Sequence, residues 1–151
     1  MTWTEYAFQL AEQVANKSKD PQTKCGCVIL GQDNQVLSTG YNGFPFGVDE
    51  PRGRWTRPEK YRWVSHAERN AIYLAARSGT SLKGSRMYVS KSPMCGECAI
   101  AAVQAGIDQV YLNGTNDLSD KWDDEMSLVE QIFSEAGVEL EVVDANKRRT
   151  T

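Results

Sequence analysis

The chain has 151 residues, of which 40% are hydrophobic and 25% are charged, and its net charge is −3. This composition is typical of a single soluble domain with a filled core, and no apolar run is long enough to cross a bilayer. The acidic balance argues against a dedicated duplex-binding protein, and the acidic N-terminus differs from a secretory signal, so we expect a cytoplasmic protein without nucleic-acid or membrane partners.

The predicted elements alternate between helices and strands along most of the chain. Apolar residues at helical spacing predict a first helix over about 2–17. Two short apolar segments on either side of the turn residues 31–34 predict a hairpin. Further helices are predicted at 66–77, at 95–105 and around Trp122, Met126, Val129 and Phe133, and the predicted strands are 25–30, 35–40, 86–90, 109–113 and 138–142.

The segment 41–64 is the exception to this alternation. It is rich in glycine and proline, which disfavour regular structure, but it also contains several aromatic residues that disordered segments lack. A loop of this length inside a compact domain is usually functional. We therefore interpret it as an ordered binding loop.

The order of the elements predicts an α/β fold. Strands that alternate with helices indicate a partly parallel sheet covered on both faces, and the initial hairpin makes the sheet mixed. We predict a three-layer α/β/α sandwich around a five-stranded sheet, formed by one domain over residues 1–151. Residues 145–151 are predicted to be a flexible tail.

Two short motifs, each at the start of a predicted helix, carry the candidate chemistry. The first is HAE at 66–68, and the second is PMCGEC at 93–98. Taken alone, the first motif together with Ser65 also fits a capping box, and the second also fits a redox pair. The motifs become specific only in combination.

Together the two motifs predict a zinc site. His66, Cys95 and Cys98 offer one imidazole and two thiols, and a helix start favours the thiolate form that a metal needs. Three protein ligands leave the fourth position to water, which is typical of a catalytic zinc site. Cys25 and Cys27 lie on a predicted strand and are interpreted as buried hydrophobes, with a fourth ligand as the alternative.

Glu68 is the predicted proton carrier of this site. Zinc lowers the pKa of a bound water to about 7. The attacking water must lose a proton and the leaving amine must gain one, and a carboxylate that does not bind the metal can carry both. An H-x-E motif followed by P-C-x-x-C is the pattern of zinc nucleobase deaminases, which act at C4 of cytosine or C6 of adenine.

On these motifs, and along most of its length, the sequence resembles the cytidine and deoxycytidylate deaminase superfamily, most closely its deoxycytidylate branch. The resembling segments are SKDPQTKCGCVIL at 18–30, GYNGFPFG at 40–47, SHAERNAI at 65–72, MYVSKSPMCGECA at 87–99 and QAGIDQVY at 104–111. One departure is Met94, which lies between Pro93 and Cys95, where the family has Pro-Cys-x-x-Cys. The turn expected to contact the base is therefore one residue longer.

The resemblance implies a cytidine deaminase-like fold and the hydrolytic deamination of dCMP to dUMP and ammonia, which supplies dUMP for dTTP synthesis. It implies Zn²⁺ held by His66, Cys95 and Cys98, with Glu68 as the catalytic residue. Asn42 would bind the sugar. The full set of implied substrate-binding residues is Asn42, Ala67, Lys19, Thr23, Lys24, Ser92 and Pro93.

The phosphate of such a substrate needs positive partners. Two lysines, Lys19 and Lys24, lie at the first loop, which is predicted at 18–23. The segment 41–64 offers five further cations, and arginine is suited to bidentate contacts with phosphate. The sequence does not choose among these five, which are Arg52, Arg54, Arg57, Lys60 and Arg62.

The resemblance also implies regulation and assembly. Family members are often homohexamers that dCTP activates and dTTP inhibits, with Mg²⁺ accompanying the effector. The alternative is that the glycines of the matching loop only permit tight turns. The implied effector-binding residues are Tyr41, Gly43, Phe44, Pro45, Phe46 and Gly47.

Two alternative functions remain open from the sequence. One is a polynucleotide cytosine or tRNA adenosine deaminase with the same chemistry, which would need a channel for flanking nucleotides. The other is a non-catalytic nucleotide-binding module in which zinc only stabilises the fold.

Overall fold

The computed structural model describes residues 1–114 and 120–144, and the side chains of 120–122 are not described. Five strands form one mixed sheet in the order β2-β1-β3-β4-β5. Strand β1 is antiparallel to both of its neighbours, while β3, β4 and β5 run parallel. The strands are β1 at Gly26–Leu30, β2 at Val36–Tyr41, β3 at Arg86–Val89, β4 at Gln109–Asn113 and β5 at Glu139–Val143.

The helices cover both faces of the sheet. Helix α1 packs on one face, and helices α3, α4 and α5 contribute to the apolar cluster on the other. The predicted three-layer α/β/α fold is therefore confirmed. The helices are α1 at Trp3–Ala15, α2 at Lys60–Trp63, α3 at Ala67–Ser78, α4 at Gly96–Gln104 and α5 at Asp120–Ala136.

Strand β1 shows why helices must pack on both faces of the sheet. All five of its residues are buried, and successive side chains point to opposite faces. Val28 and Leu30 contact the cluster beneath α1, whereas Cys27 and Ile29 contact the cluster that contains α3, α4 and α5. Cys25 lies half-buried against the same cluster as Cys27, which confirms the interpretation of both as core residues.

Helix α3 approaches strand β2 at Gly40, where the backbones come into direct contact. A Cβ atom at Gly40 would lie 2.3 Å from the backbone nitrogen of Ala71 and 2.4 Å from the carbonyl oxygen of Ala67. Only glycine fits so close a contact. This contact sets the height of the first turn of α3 above the sheet.

The segment 41–64 is more regular than predicted. It contains a 3₁₀ turn at Arg52–Trp55 and the short helix α2, so the prediction of one continuous loop was wrong in this detail. The ring of Phe44 lies 4.8 Å from that of Trp55 and 6.5 Å from that of Trp63. These aromatic contacts give the segment a small core of its own.

The C-terminal helix and strand lie where they are predicted. Met126, Val129 and Phe133 are buried, whereas Val142, on the edge strand β5, is 53% exposed. The Trp122 side chain and the predicted tail at 145–151 lie outside the described residues. No helix in the described ranges has the length and apolar character needed to cross a membrane.

Candidate active site

Two helix starts bring the three predicted metal ligands together. His66 precedes the first residue of α3, Cys95 precedes α4, and Cys98 lies in the first turn of α4. His66 Nδ1 is 3.4 Å from Cys95 Sγ and 3.5 Å from Cys98 Sγ. The three donor atoms lie within 4.8 Å of one another.

This donor set fits zinc in both chemistry and spacing. Zinc binds imidazole nitrogen at about 2.0–2.1 Å and thiolate sulfur at about 2.3 Å, so tetrahedral nitrogen and sulfur ligands lie about 3.6 Å apart. The two observed N–S distances are close to that value. Among the described residues, this is the one cluster of at least three metal-binding side chains, and neither Cys25 nor Cys27 belongs to it.

The surroundings of the cysteines favour a thiolate. A hydrogen bond with Cys98 is the largest influence on Cys95, and despite opposing burial this bond and another with His66 lower the pKa of Cys95 to about 4. The same hydrogen bond, together with burial, raises the pKa of Cys98. The hydrogen bond with Cys95 also raises the pKa of His66. The N-terminus of α4 adds a favourable dipole for negative charge.

Glu68 lies in the first turn of α3, and its side chain is buried beside this cluster. Only 5% of the residue is exposed. Burial raises the pKa of Glu68, while the charge of His66 acts in the opposite direction. A carboxyl group with a raised pKa is suited to accept and release protons near neutral pH.

The alternative role of Ser65 and Glu68 as a capping box is not observed. The residue that caps α3 is His66, and it makes no side-chain capping hydrogen bond. Ser65 Oγ is buried without a hydrogen-bond partner in the described part of the chain. The first turn of α3 therefore presents Glu68 toward the metal ligands instead of using it as a cap.

Two residues that support the cluster were missed by the sequence analysis. Glu125 Oε1 on α5 accepts a hydrogen bond of 3.1 Å from the backbone N–H of Gly96 and so holds the start of α4. Arg69 lies beside the cluster, and although burial opposes its charge, the Cys98 and Cys95 sulfurs raise its pKa. Glu125 lies outside every segment that carries the family resemblance, and Arg69 lies in SHAERNAI but outside the H-x-E motif itself.

Met94, the departure from the family pattern, has a structural role. Its side chain is fully buried in the cluster that contains α3, α4 and α5. The turn between β3 and α4 therefore uses its extra residue as a core anchor next to Cys95.

The side chain of Asn42 holds the loop 18–25 through three hydrogen bonds. Its Oδ1 accepts a 2.9 Å hydrogen bond from the N–H of Cys25, and its Nδ2 donates to the carbonyl oxygen of Thr23 at 2.8 Å and to Asp20 at 3.4 Å. The side chain is almost completely buried. Its contact with a substrate sugar stays a prediction, and that contact would require one of these bonds to be exchanged.

A buried ion pair ties the same loop to α2. Lys60 Nζ is 3.0 Å from Asp20 Oδ2, and the two side chains are only 6% and 3% exposed. Lys60 also donates to Gln22 Oε1 at 3.1 Å. Burial opposes ionisation of Asp20, but hydrogen bonds from the Gln22 and Thr23 backbone and from Lys60 outweigh it and lower its pKa.

We predict that Lys60→Met destabilises the protein by about 3–5 kcal/mol, because it leaves the Asp20 carboxylate buried without a partner. Urea unfolding followed by tryptophan fluorescence at pH 7 measures this loss. The exposed pair of Arg62 and Glu59, 3.7 Å apart, provides the control, since Arg62→Gln should cost less than about 1 kcal/mol.

Two further measurements complete this test. Adding Asp20→Asn to Lys60→Met should recover part of the loss, since no unpaired charge then remains. Because its folded-state pKa is lowered, ionised Asp20 stabilises the protein above its unfolded pKa of about 3.9, and this contribution disappears as the pH falls through the folded-state value. Equal stabilities of Lys60→Met and Arg62→Gln would contradict the importance of the pair.

The other predicted substrate residues divide into two groups. Ala67 is buried between His66 and Glu68, and Ser92 and Pro93 lie half-buried in the turn before α4, so all three are near the metal ligands in the chain. Lys19, Thr23 and Lys24 are exposed on the first loop. In the described part of the chain, no hydrogen bond or ion pair joins the side chains of this second group to the three metal-binding residues.

The predicted effector residues lie along one connected segment. Gly43 exchanges two backbone hydrogen bonds with Ser65, the residue before His66, at 3.1 and 2.9 Å. Phe46 is 71% exposed, and the guanidinium of Arg77 lies 4.5 Å above its ring. Tyr41, Pro45 and Gly47 are exposed, and Phe44 belongs to the aromatic contacts described above.

Comparisons with known proteins identify relatives of this chain. Residues 1–113 match the family model described as the cytidine and deoxycytidylate deaminase zinc-binding region. Human deoxycytidylate deaminase is 37% identical over 146 residues, covering 91% of this chain and 78% of the human protein. A deaminase of Aliivibrio fischeri is 39% identical over 139 residues, covering 91% of both chains.

A solved structure extends the likeness to three dimensions. The crystal structure of the dCMP deaminase from the cyanophage S-TIM5, in complex with dCMP and dUMP, matches with a TM-score of 0.72 and 29% identity. The match covers 92% of this chain and 95% of the cyanophage chain.

Proposed function

This chain belongs to the cytidine and deoxycytidylate deaminase family, and we propose that it is a zinc-dependent enzyme that hydrolyses dCMP to dUMP and ammonia. The observation that carries the proposal is the buried Glu68 beside a three-donor cluster of His66, Cys95 and Cys98. Support for the substrate comes from the human relative's name and from the dCMP and dUMP bound in the cyanophage structure.

His66, Cys95 and Cys98 would hold the metal, and Glu68 would carry the protons. Zinc, when bound, would supply a water of lowered pKa as the nucleophile. Glu68 accepts a proton from the attacking water and passes one to the exocyclic amine at C4, so that water is consumed and ammonia leaves. The burial that raises its pKa suits the carboxyl group to both roles.

We extend the proposal to the substrate contacts expected from the sequence. Ala67, Ser92 and Pro93 would contact the pyrimidine, since they adjoin the metal ligands, and Asn42 would contact the sugar. Lys19, Thr23 and Lys24 would lie toward the phosphate.

Regulation and assembly form a further part of the proposal. The segment of Tyr41, Gly43, Phe44, Pro45, Phe46 and Gly47 would bind dCTP as activator and dTTP as inhibitor, with Mg²⁺ on the triphosphate. Its two hydrogen bonds to Ser65 offer a direct connection to the metal ligand His66. The enzyme would work as a hexamer of single domains spanning 1–151, in the cytoplasm, where its dUMP feeds dTTP synthesis.

The deciding measurement is ammonia release by zinc-loaded protein from dCMP, CMP, dCTP and deoxycytidine. We expect turnover of dCMP, increased by dCTP and decreased by dTTP. A short single-stranded oligodeoxynucleotide and a tRNA anticodon stem serve as comparison substrates, and preference for either would contradict the proposal. Ammonia release from none of them would favour a non-catalytic module.

A further inference from the structure

A cavity of about 580 Å³ lies between the first loop and the 3₁₀ turn at Arg52–Trp55. Its wall carries three cations, Lys19, Arg52 and Arg57, together with polar and aromatic groups from Gln22, Thr56 and Trp55. None of the residues that line it is a metal ligand. Its volume is typical of sites for small molecules, whereas a polymer would need an open channel.

The arginines of the cavity differ from the other cations of the segment 41–64. Arg54 donates to the carbonyl oxygen of Asp49 and lies over the ring of Trp63. Lys60 is buried in its ion pair, and Arg62 pairs with Glu59 at 3.7 Å outside the cavity. In contrast, the guanidinium groups of Arg52 and Arg57 make no ion pair or hydrogen bond with any described residue.

The charge balance of the cavity is positive in an acidic protein. Lys19 forms an ion pair with Glu50 at 3.5 Å, and the described residues that line the cavity include three cations and no carboxylate. The whole chain has a net charge of −3. Such a local excess of positive charge attracts an anionic ligand.

The walls of the cavity are held in place by buried contacts. Gln22 accepts a hydrogen bond from the buried Lys60, and its backbone N–H donates to Asp20 at 2.8 Å. On the opposite wall, Trp55 is 8% exposed and its ring packs against Phe44. The cations therefore project from an ordered frame, which lowers the entropic cost of binding.

We propose that this cavity binds the phosphate of a nucleotide, with Arg52 and Arg57 as the principal partners and Lys19 as a third positive charge. The planar guanidinium group matches phosphate in bidentate geometry. The phosphate belongs either to the substrate or to an effector, and the assignment to one of them rests on the proposed function. The sequence offered five candidate cations in the long segment, and the structure selects two.

The test compares the double variant Arg52→Gln/Arg57→Gln with the wild-type zinc-loaded protein. Isothermal titration with dUMP, dCTP and pyrophosphate measures phosphate binding without turnover of dCMP. We expect the double variant to bind at least one of these ligands tenfold or more weakly, since it loses hydrogen bonds to a charged group. The control variant Arg62→Gln/Lys83→Gln removes the same charge outside the cavity and should leave all three constants unchanged.

The pattern of losses identifies the source of the phosphate. Weaker binding of dUMP with unchanged binding of dCTP assigns the cavity to the substrate. Weaker binding of dCTP with unchanged binding of dUMP assigns it to an effector. Equal constants for wild type and double variant, equal losses in the control, or no binding of any probe by the wild type would overturn the inference. Ammonia release from dCMP is measured on the same wild-type sample, so failure of the proposed function is recognised separately.

Discussion

Replacement of Glu68 by glutamine is expected to reduce dCMP turnover by about 10²–10⁴-fold, the usual contribution of general acid–base catalysis. Glutamine has nearly the same size and fits the same buried position, but it can neither accept nor release a proton. Glu68 does not belong to the three-donor cluster, so the variant should retain its zinc. Ammonia release and metal analysis on the same sample measure both effects.

The matched control for this prediction is Glu12→Gln, which changes an exposed glutamate of α1. It should leave turnover and zinc content unchanged. A Glu68→Gln enzyme with near wild-type turnover would rule out the proposed proton carrier. Loss of turnover together with zinc would instead indicate that Glu68 supports the metal site.

Replacement of Cys98 by alanine should abolish both zinc binding and turnover. The change reduces the donor set to His66 and Cys95, and two protein ligands do not sustain the usual catalytic zinc site. The zinc content should fall from about one per chain to near zero after dialysis against EDTA. Alanine is smaller than cysteine and fits the fully buried position without a clash, so circular dichroism should still report a folded protein.

Cys27→Ala separates the loss of a ligand from the loss of a buried thiol. Cys27 is also fully buried, but it lies outside the donor cluster, so its variant should retain zinc and turnover. Stoichiometric zinc in Cys98→Ala would mean that another side chain replaces the missing sulfur. Unfolding of the wild type on removal of zinc would favour a mainly structural metal.

The fold was predictable because its signals are local. Alternating helical and strand periods identified the five strands, and the buried run of β1 fits a strand covered on both faces. The donor cluster was predictable because its residues combine two short motifs whose chemistry is narrow. In both cases neighbouring residues in the chain carry the information.

The supports of the site were not predictable because they join distant parts of the chain. Lys60 and Asp20 are ordinary surface residues by type, and only the folded arrangement buries them 3.0 Å apart. Glu125 caps the start of α4 from another helix, and no spacing rule connects it to Gly96. The choice among the cations that could bind phosphate likewise depended on which of their side chains already form hydrogen bonds or ion pairs in the folded protein.

The direct contact of α3 with strand β2 at Gly40 limits how the activity can be altered. Side chains between a helix and a sheet can change rotamer and absorb a substitution, but here the backbones meet without any side chain between them. The height of His66 and Glu68 above the sheet is therefore set by non-bonded contact between two backbones, and a change of side-chain rotamer cannot adjust it. Evolution or engineering of a new substrate range would have to change the side chains that line the site, because the backbone contact between α3 and β2 stays fixed.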